Sequence, residues 1–125
     1  IMEIALEIIG YVLLVIAGIS WGIMDLLQFH YNQSIFSRES FNPQYWNPEI
    51  SWINKYEDAT YGIRKKIWIF NKPVFLTDAW HLFKFIFINV LCLAIGFITY
   101  NILLAVIIRI VIGVTFYLSY NYLKK

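Results

Sequence analysis

Of the 125 residues, 60% are hydrophobic and 14% charged, against roughly 45 to 50% and ~25% in a soluble domain, so the chain's solvent must be largely lipid. A net charge of +2 supplies no basic field to hold nucleic acid, and that class of partner is excluded. The single cysteine, Cys92, lies in an apolar run and rules out an internal disulfide.

In chain order, residues 4–25 are almost wholly apolar between the flanking charges, the length that crosses a hydrocarbon core of ~30 Å as a helix. Glu3 and Glu7 stand where a secretion signal would carry positive charge, and no small-residue cleavage site follows, so the segment reads as a retained span. A polar stretch follows from about 26 to 77, broken by Asn42-Pro43, Asn47-Pro48 and Lys72-Pro73, where proline disfavours helix in the preceding residue. It carries Tyr45, Trp46, Trp52, Tyr56, Tyr61 and Trp68, too many large rings for a solvated linker, so it is expected to fold against the membrane surface. Within it, 67–70 and 74–76 are apolar but too short to span and are assigned to the interface.

From 79 to 122 the chain is apolar again, and as one helix it would measure ~65 Å, twice the bilayer. It must turn, and Thr99-Tyr100-Asn101 is the polar interruption that best divides it, into spans of about 79–99 and about 102–122. One span over 85–108 with a surface-lying tail is the rival. Charge decides between them, because cytoplasmic loops collect Lys and Arg. Three spans place Arg38, Lys55, Arg64, Lys65, Lys66 and Lys72 on the same side as Lys124 and Lys125. The expectation is therefore an all-α membrane protein, a single membrane domain over 1–125 with three transmembrane helices and an aromatic-rich interfacial loop between the first two. Its N-terminus would lie outside and its loop and C-terminus in the cytoplasm, in a multi-pass arrangement assigned to a bacterial inner membrane. Asn32-Gln33-Ser34 matches a glycosylation sequon, which such a loop would never present to the machinery.

On a helical wheel, polar and small residues should collect where helices meet, since close backbone approach and interhelical hydrogen bonds drive association in lipid. Asn89, Cys92 and Gly96 follow one stripe of the second span, with Asp78, His81, Phe85 and Thr99. Gly18 belongs to a stripe of the first span with Glu7, Gly10, Ala17, Trp21 and Asp25, and Gly113 to one of the third with Ala105 and Arg109. Arg109 is costly in hydrocarbon and requires a partner; Glu7 is the expected one, with snorkelling or pairing to another chain as alternatives.

Asp25, Gln28 and His30 fall at the same membrane face as Asp78 and His81. Asp78 and His81, three apart on one helix face, suit a carboxylate-oriented imidazole for acid–base work, or a metal site completed by His30. The plainer alternative makes Thr77 an N-cap and Asp78 a first-turn charge on the helix dipole. No motif implies a cofactor: no glycine-rich phosphate loop, cysteine pair, nucleophile elbow or zinc-protease signature is present.

Phe41-Asn42-Pro43, Asn47-Pro48, Ser51-Trp52, Asn54-Lys55-Tyr56 and the run from Leu76 through Thr77-Asp78-Ala79-Trp80-His81 to Lys84 resemble small uncharacterised membrane proteins of Bacteroidetes and their phages, a resemblance that implies no activity. Asp78-x-x-His81 is also similar to the Asp-x-x-His-Phe signature of VanZ-like membrane proteins, which implies action on lipid-linked or headgroup substrates. Here Leu82 stands in the aromatic position, and Phe83 follows one place later.

The functional expectation is a non-enzymatic subunit or accessory component of a membrane complex, with membrane lipids and partner transmembrane helices, in a homo- or hetero-oligomer, as its contacts. The alternative is an interfacial enzyme or binding protein for a lipid headgroup or lipid-linked substrate, acting through Asp78 and His81. A third class, a small channel, would need Asn89 and Arg109 to line a water path.

Overall fold

The computed structural model describes residues 1–124. Three of its helices are long and apolar enough to cross a membrane. The first, α1, is Met2–His30 and continues into a 3-10 turn at Tyr31–Gln33, so helix persists beyond the expected boundary near residue 25. The chain divides into two units, Ile1–Gly18 with Phe87–Lys125, and Ile19–Ile86.

The second unit holds the loop, which is more structured than a chain of turns. Both Asn-Pro pairs start short helices, α2 (Pro43–Trp46) and α3 (Pro48–Ser51). Asn42 caps Gln44 N at 3.0 Å and Asn47 caps Glu49 N at 3.1 Å. Proline at the first helical position has no N–H to leave unsatisfied, and the preceding asparagine accepts one that is present. Two antiparallel hairpins follow: β1 (Tyr56–Asp58) with β2 (Ile63–Arg64), and β3 (Lys66–Ile67) with β4 (Phe70–Asn71). The apolar run 67–70, assigned to the interface, is the tip of the second hairpin, turned through Trp68 at φ 58°; all four of its side chains are exposed. These strands qualify the all-α expectation for the loop.

Aromatic packing orders this unit. Phe36 stacks on Trp46 at 4.5 Å, and Phe41 meets both rings edge-on. Trp46 in turn contacts Phe83 at 6.0 Å, and Phe75 stacks on Phe85 at 4.0 Å, so loop rings seat on the opening turns of α4 (Ala79–Ile98). Asn54 adds a polar tie, its Nδ2 donating to the carbonyls of Gln44 (2.6 Å) and Thr77 (2.9 Å).

In the first unit α4 turns into α5 (Ile102–Leu123). The turn falls at the expected Thr99-Tyr100-Asn101, and its construction explains why neither glycine nor proline is needed. Asn101 N donates to Gly96 O at 2.8 Å and Tyr100 N to Phe97 O at 3.3 Å. This is the paired bonding of a Schellman helix end, which requires a left-handed residue; Tyr100 adopts it at φ 55°. Asn101 then caps α5, its Oδ1 accepting from Leu104 N at 3.0 Å.

Small residues bring these helices together. A Cβ at Gly96 would lie 2.7 Å from Ala105 Cβ, and one at Gly10 would lie 3.2 Å from the Ala94 carbonyl and closer still to Ile98. Gly96 therefore packs as its stripe implies. Gly18 does not: it is exposed, with nothing within 4 Å of where a Cβ would stand, and the buried line of α1 runs instead through Gly10, Ala17, Ser20 and Leu27. Gly113 also meets no neighbouring helix there; the atom beside it is Arg109 Nη1, at 3.1 Å.

Gly96→Ala is expected to destabilise the α4–α5 hairpin by about 1 to 3 kcal/mol through overpacking, and Ala105→Gly in the same chain to recover most of the loss. Thermal unfolding in detergent checks it; a neutral Gly96→Ala, or no recovery, would contradict the close approach.

Candidate functional site

Polar chemistry gathers at the start of α4. Asp78, 2% exposed, is the residue before the helix, and its Oδ1 accepts from His81 N at 2.9 Å. The cap is thus Asp78 itself. Thr77, expected in that role, directs its hydroxyl back to Val74 O at 2.6 Å. The same carboxylate holds the imidazole: His81 Nδ1 lies 2.9 Å from Oδ1 and 2.8 Å from Oδ2. Nδ1 faces the carboxylate, so Nε2 is the ring nitrogen that the carboxylate leaves unengaged.

This pair lines a recess of about 260 Å³ with Gln28, Ser51, Trp52 and Trp80. Trp80 Nε1 is buried and has no hydrogen-bond partner among the described residues, an indole donor left unpaired where a ligand oxygen would satisfy it. Trp80 also meets the His81 ring edge-on at 4.9 Å and lies under Lys84 Nζ at 5.4 Å. Burial raises the Tyr45 hydroxyl's pKa, and the charge of Asp78 raises it further.

The remaining candidates disperse. Gln28 reaches the recess, whereas Asp25 is exposed on α1 and lines none of the recesses described, and His30 opens on a separate recess with Gln28, Asn47 and Glu49. Among the described residues no three His, Cys, Asp or Glu side chains group to hold a metal ion, so His30 and Asp25 complete no ligand set around His81. Ser51, buried to 1% exposure, was not singled out from the sequence. Its place depends on the Asn47-Pro48 start of α3, which the sequence shows as a turn signal but not as a route into a recess.

The second polar cluster lies between α4 and α5. Arg109 Nε donates to Asn89 Oδ1 at 2.9 Å. Beside them is a recess of about 330 Å³, lined otherwise by apolar residues including Cys92, Ala105 and Val106. The expected Glu7–Arg109 ion pair is not formed: Glu7 accepts from the Tyr100 hydroxyl instead. The reason is position. Arg109 stands nine residues past Tyr100, about 13 Å along the helix, and its guanidinium lies beside Gly113, a further turn from Glu7.

Comparison with family models, curated proteins and solved structures gives no match.

The Glu7 contact has a pH signature. The Tyr100 hydroxyl is pushed up to about 12, chiefly because it donates to the Glu7 carboxylate. A phenol whose folded value exceeds its unfolded value of ~10 contributes stability that is present below pH ~10 and lost as pH rises towards 12. Phenolate absorbance should show a tyrosine titrating last that Tyr100→Phe removes and Glu7→Gln moves back towards 10. A late step unchanged by Glu7→Gln would contradict the contact.

Proposed function

We propose that the protein is a multi-pass integral membrane protein working as a non-enzymatic subunit or accessory component of a membrane complex. In this reading α1, α4 and α5 cross a bacterial inner membrane, with the loop and C-terminus in the cytoplasm. The observation that carries it is Arg109. A guanidinium at the centre of a spanning helix costs roughly 2.5 to 3.5 kcal/mol on insertion scales. The Arg109–Asn89 bond, roughly 1.5 to 3 kcal/mol for a charged donor, engages one of the guanidinium's five N–H donors. An assembled neighbour would take up the others. The exposed apolar tip of the β3–β4 hairpin, with Trp68 and Phe70, supports seating of the loop on the membrane surface, where aromatic rings prefer to lie. Native mass spectrometry after mild extraction from the source membrane should find this chain bound to a stoichiometric partner. A chain that extracts alone would overturn the reading.

A second reading is favoured by the Asp78–His81 pair: an interfacial site that binds or acts on a lipid headgroup or lipid-linked substrate. The imidazole is oriented by a buried carboxylate, its Nε2 is available as a base, and Ser51 shares the recess as a candidate hydroxyl nucleophile. His81→Gln should abolish phospholipid adducts seen in native mass spectra while leaving the unfolding midpoint unchanged. Asp78→Ala should also lower helix stability by about 1 kcal/mol, because it removes the cap. Retention of lipid by both variants would sink this alternative.

A further inference from the structure

We propose that the open recess between α4 and α5 receives a transmembrane helix of another protein, one carrying an aspartate or glutamate at the height of Arg109. The proposal rests on the subunit reading and names what the partner must bring.

A guanidinium has five N–H donors. Asn89 Oδ1 takes the one on Nε, and among the described residues no carboxylate lies within ion-pair distance of Arg109. Side chains on a helix lean towards its N-terminus, which for Arg109 would mean towards the nearer helix end, at Asn101. The guanidinium runs the other way. Nη1 lies beside Gly113, one turn farther along α5, where a Cβ would stand 3.1 Å from it. Asn89 is ten residues into the 20-residue helix α4, so its bond to Nε fixes the charged head at mid-span rather than at an interface. A headgroup phosphate or a fatty-acid carboxylate sits at the membrane surface, too far to reach this depth.

The partner is not a second copy. Copies inserted in one orientation carry the same residues at the same heights, and Glu7 stands at the level of Tyr100, about 13 Å from Arg109 along α5. Asp78 lies eleven residues before Asn89 on the chain, about 16 Å, and is engaged by His81. What fits is a charge opposite to Arg109, held at mid-span on a foreign helix. Cys92 and Ala105 on the recess wall are small enough to let its backbone approach.

The test uses the full chain in phospholipid nanodiscs, titrated with labelled synthetic transmembrane peptides of leucine and alanine that carry Glu, Gln or Leu at the centre. The Glu peptide should bind at least about tenfold more tightly than either of the others, a margin in the range of buried charge pairing. Arg109→Leu should erase that preference, and Arg109→Glu should shift it to a peptide with central Lys. Equal binding of the Glu and Leu peptides, a Gln peptide that matches Glu, or a preference that survives Arg109→Leu would each overturn the proposal. So would self-association of the chain that Arg109→Leu abolishes, since the occupant would then be a second copy. A native complex that survives Arg109→Leu overturns this proposal and leaves the subunit reading standing; absence of any native complex strikes the subunit reading itself.

Discussion

Hydrocarbon offers no hydrogen bonds, and the polar groups of any helix that spans it must find partners in protein. Two polar side chains on α5 meet that demand locally. Thr115 Oγ1 donates to the carbonyls of Val111 and Ile112, and Asn121 Nδ2 to Tyr117 O; Thr99 does the same on α4, towards Ile95 O. Such groups constrain nothing beyond their own helix. Arg109 is different because a guanidinium has too many donors, too far from its own backbone, to be satisfied in this way. It bonds Asn89 across from α4, runs beside Gly113, and borders an open recess. The close pairing of α4 with α5 through Gly96 and Ala105, and the left-handed Tyr100 that turns one into the other, set the geometry in which that contact is made.

The loop obeys a different physics. Its helices and hairpins are too short to be stable alone, and side chains supply the order: asparagine caps at 42 and 47, the Phe36–Phe41–Trp46 ring cluster, and the reach of Asn54 to Thr77 O. These ties end on the opening turns of α4. They set α3, and with it Ser51, where the recess containing Asp78 and His81 forms.

What the sequence makes legible follows from this division. Long apolar runs report three helices fit to span a membrane, because length and composition alone decide whether a helix suits a bilayer. The position of the turn is also readable, from the polarity of Thr99-Tyr100-Asn101, but not its left-handed tyrosine, since that conformation is disfavoured for Tyr and goes with the paired backbone bonds to Gly96 and Phe97. The Asp78–His81 pairing was visible as a three-residue spacing. The cap is Asp78 rather than Thr77: threonine and aspartate are both good caps, and only the backbone path distinguishes them. Opposite charge suggests a Glu7–Arg109 pair, but it does not report side-chain direction: the guanidinium points away from Glu7. Gly18 failed because a small residue on a wheel does not say which side of the stripe meets a neighbour. Ser51 was illegible because it reaches the recess through a fold of the loop that no periodicity records.

The account stands on the chain crossing the bilayer three times, and whether the loop and the C-terminus emerge on one side tests its α4–α5 part most directly. In a Cys92→Ala background, a cysteine is placed at Trp52 or at Lys124, and sealed vesicles of known orientation are treated with a membrane-impermeant maleimide. Three crossings predict that both positions react from the same face. Labelling from opposite faces would contradict the account, because α4 and α5 would then not be two separate spans.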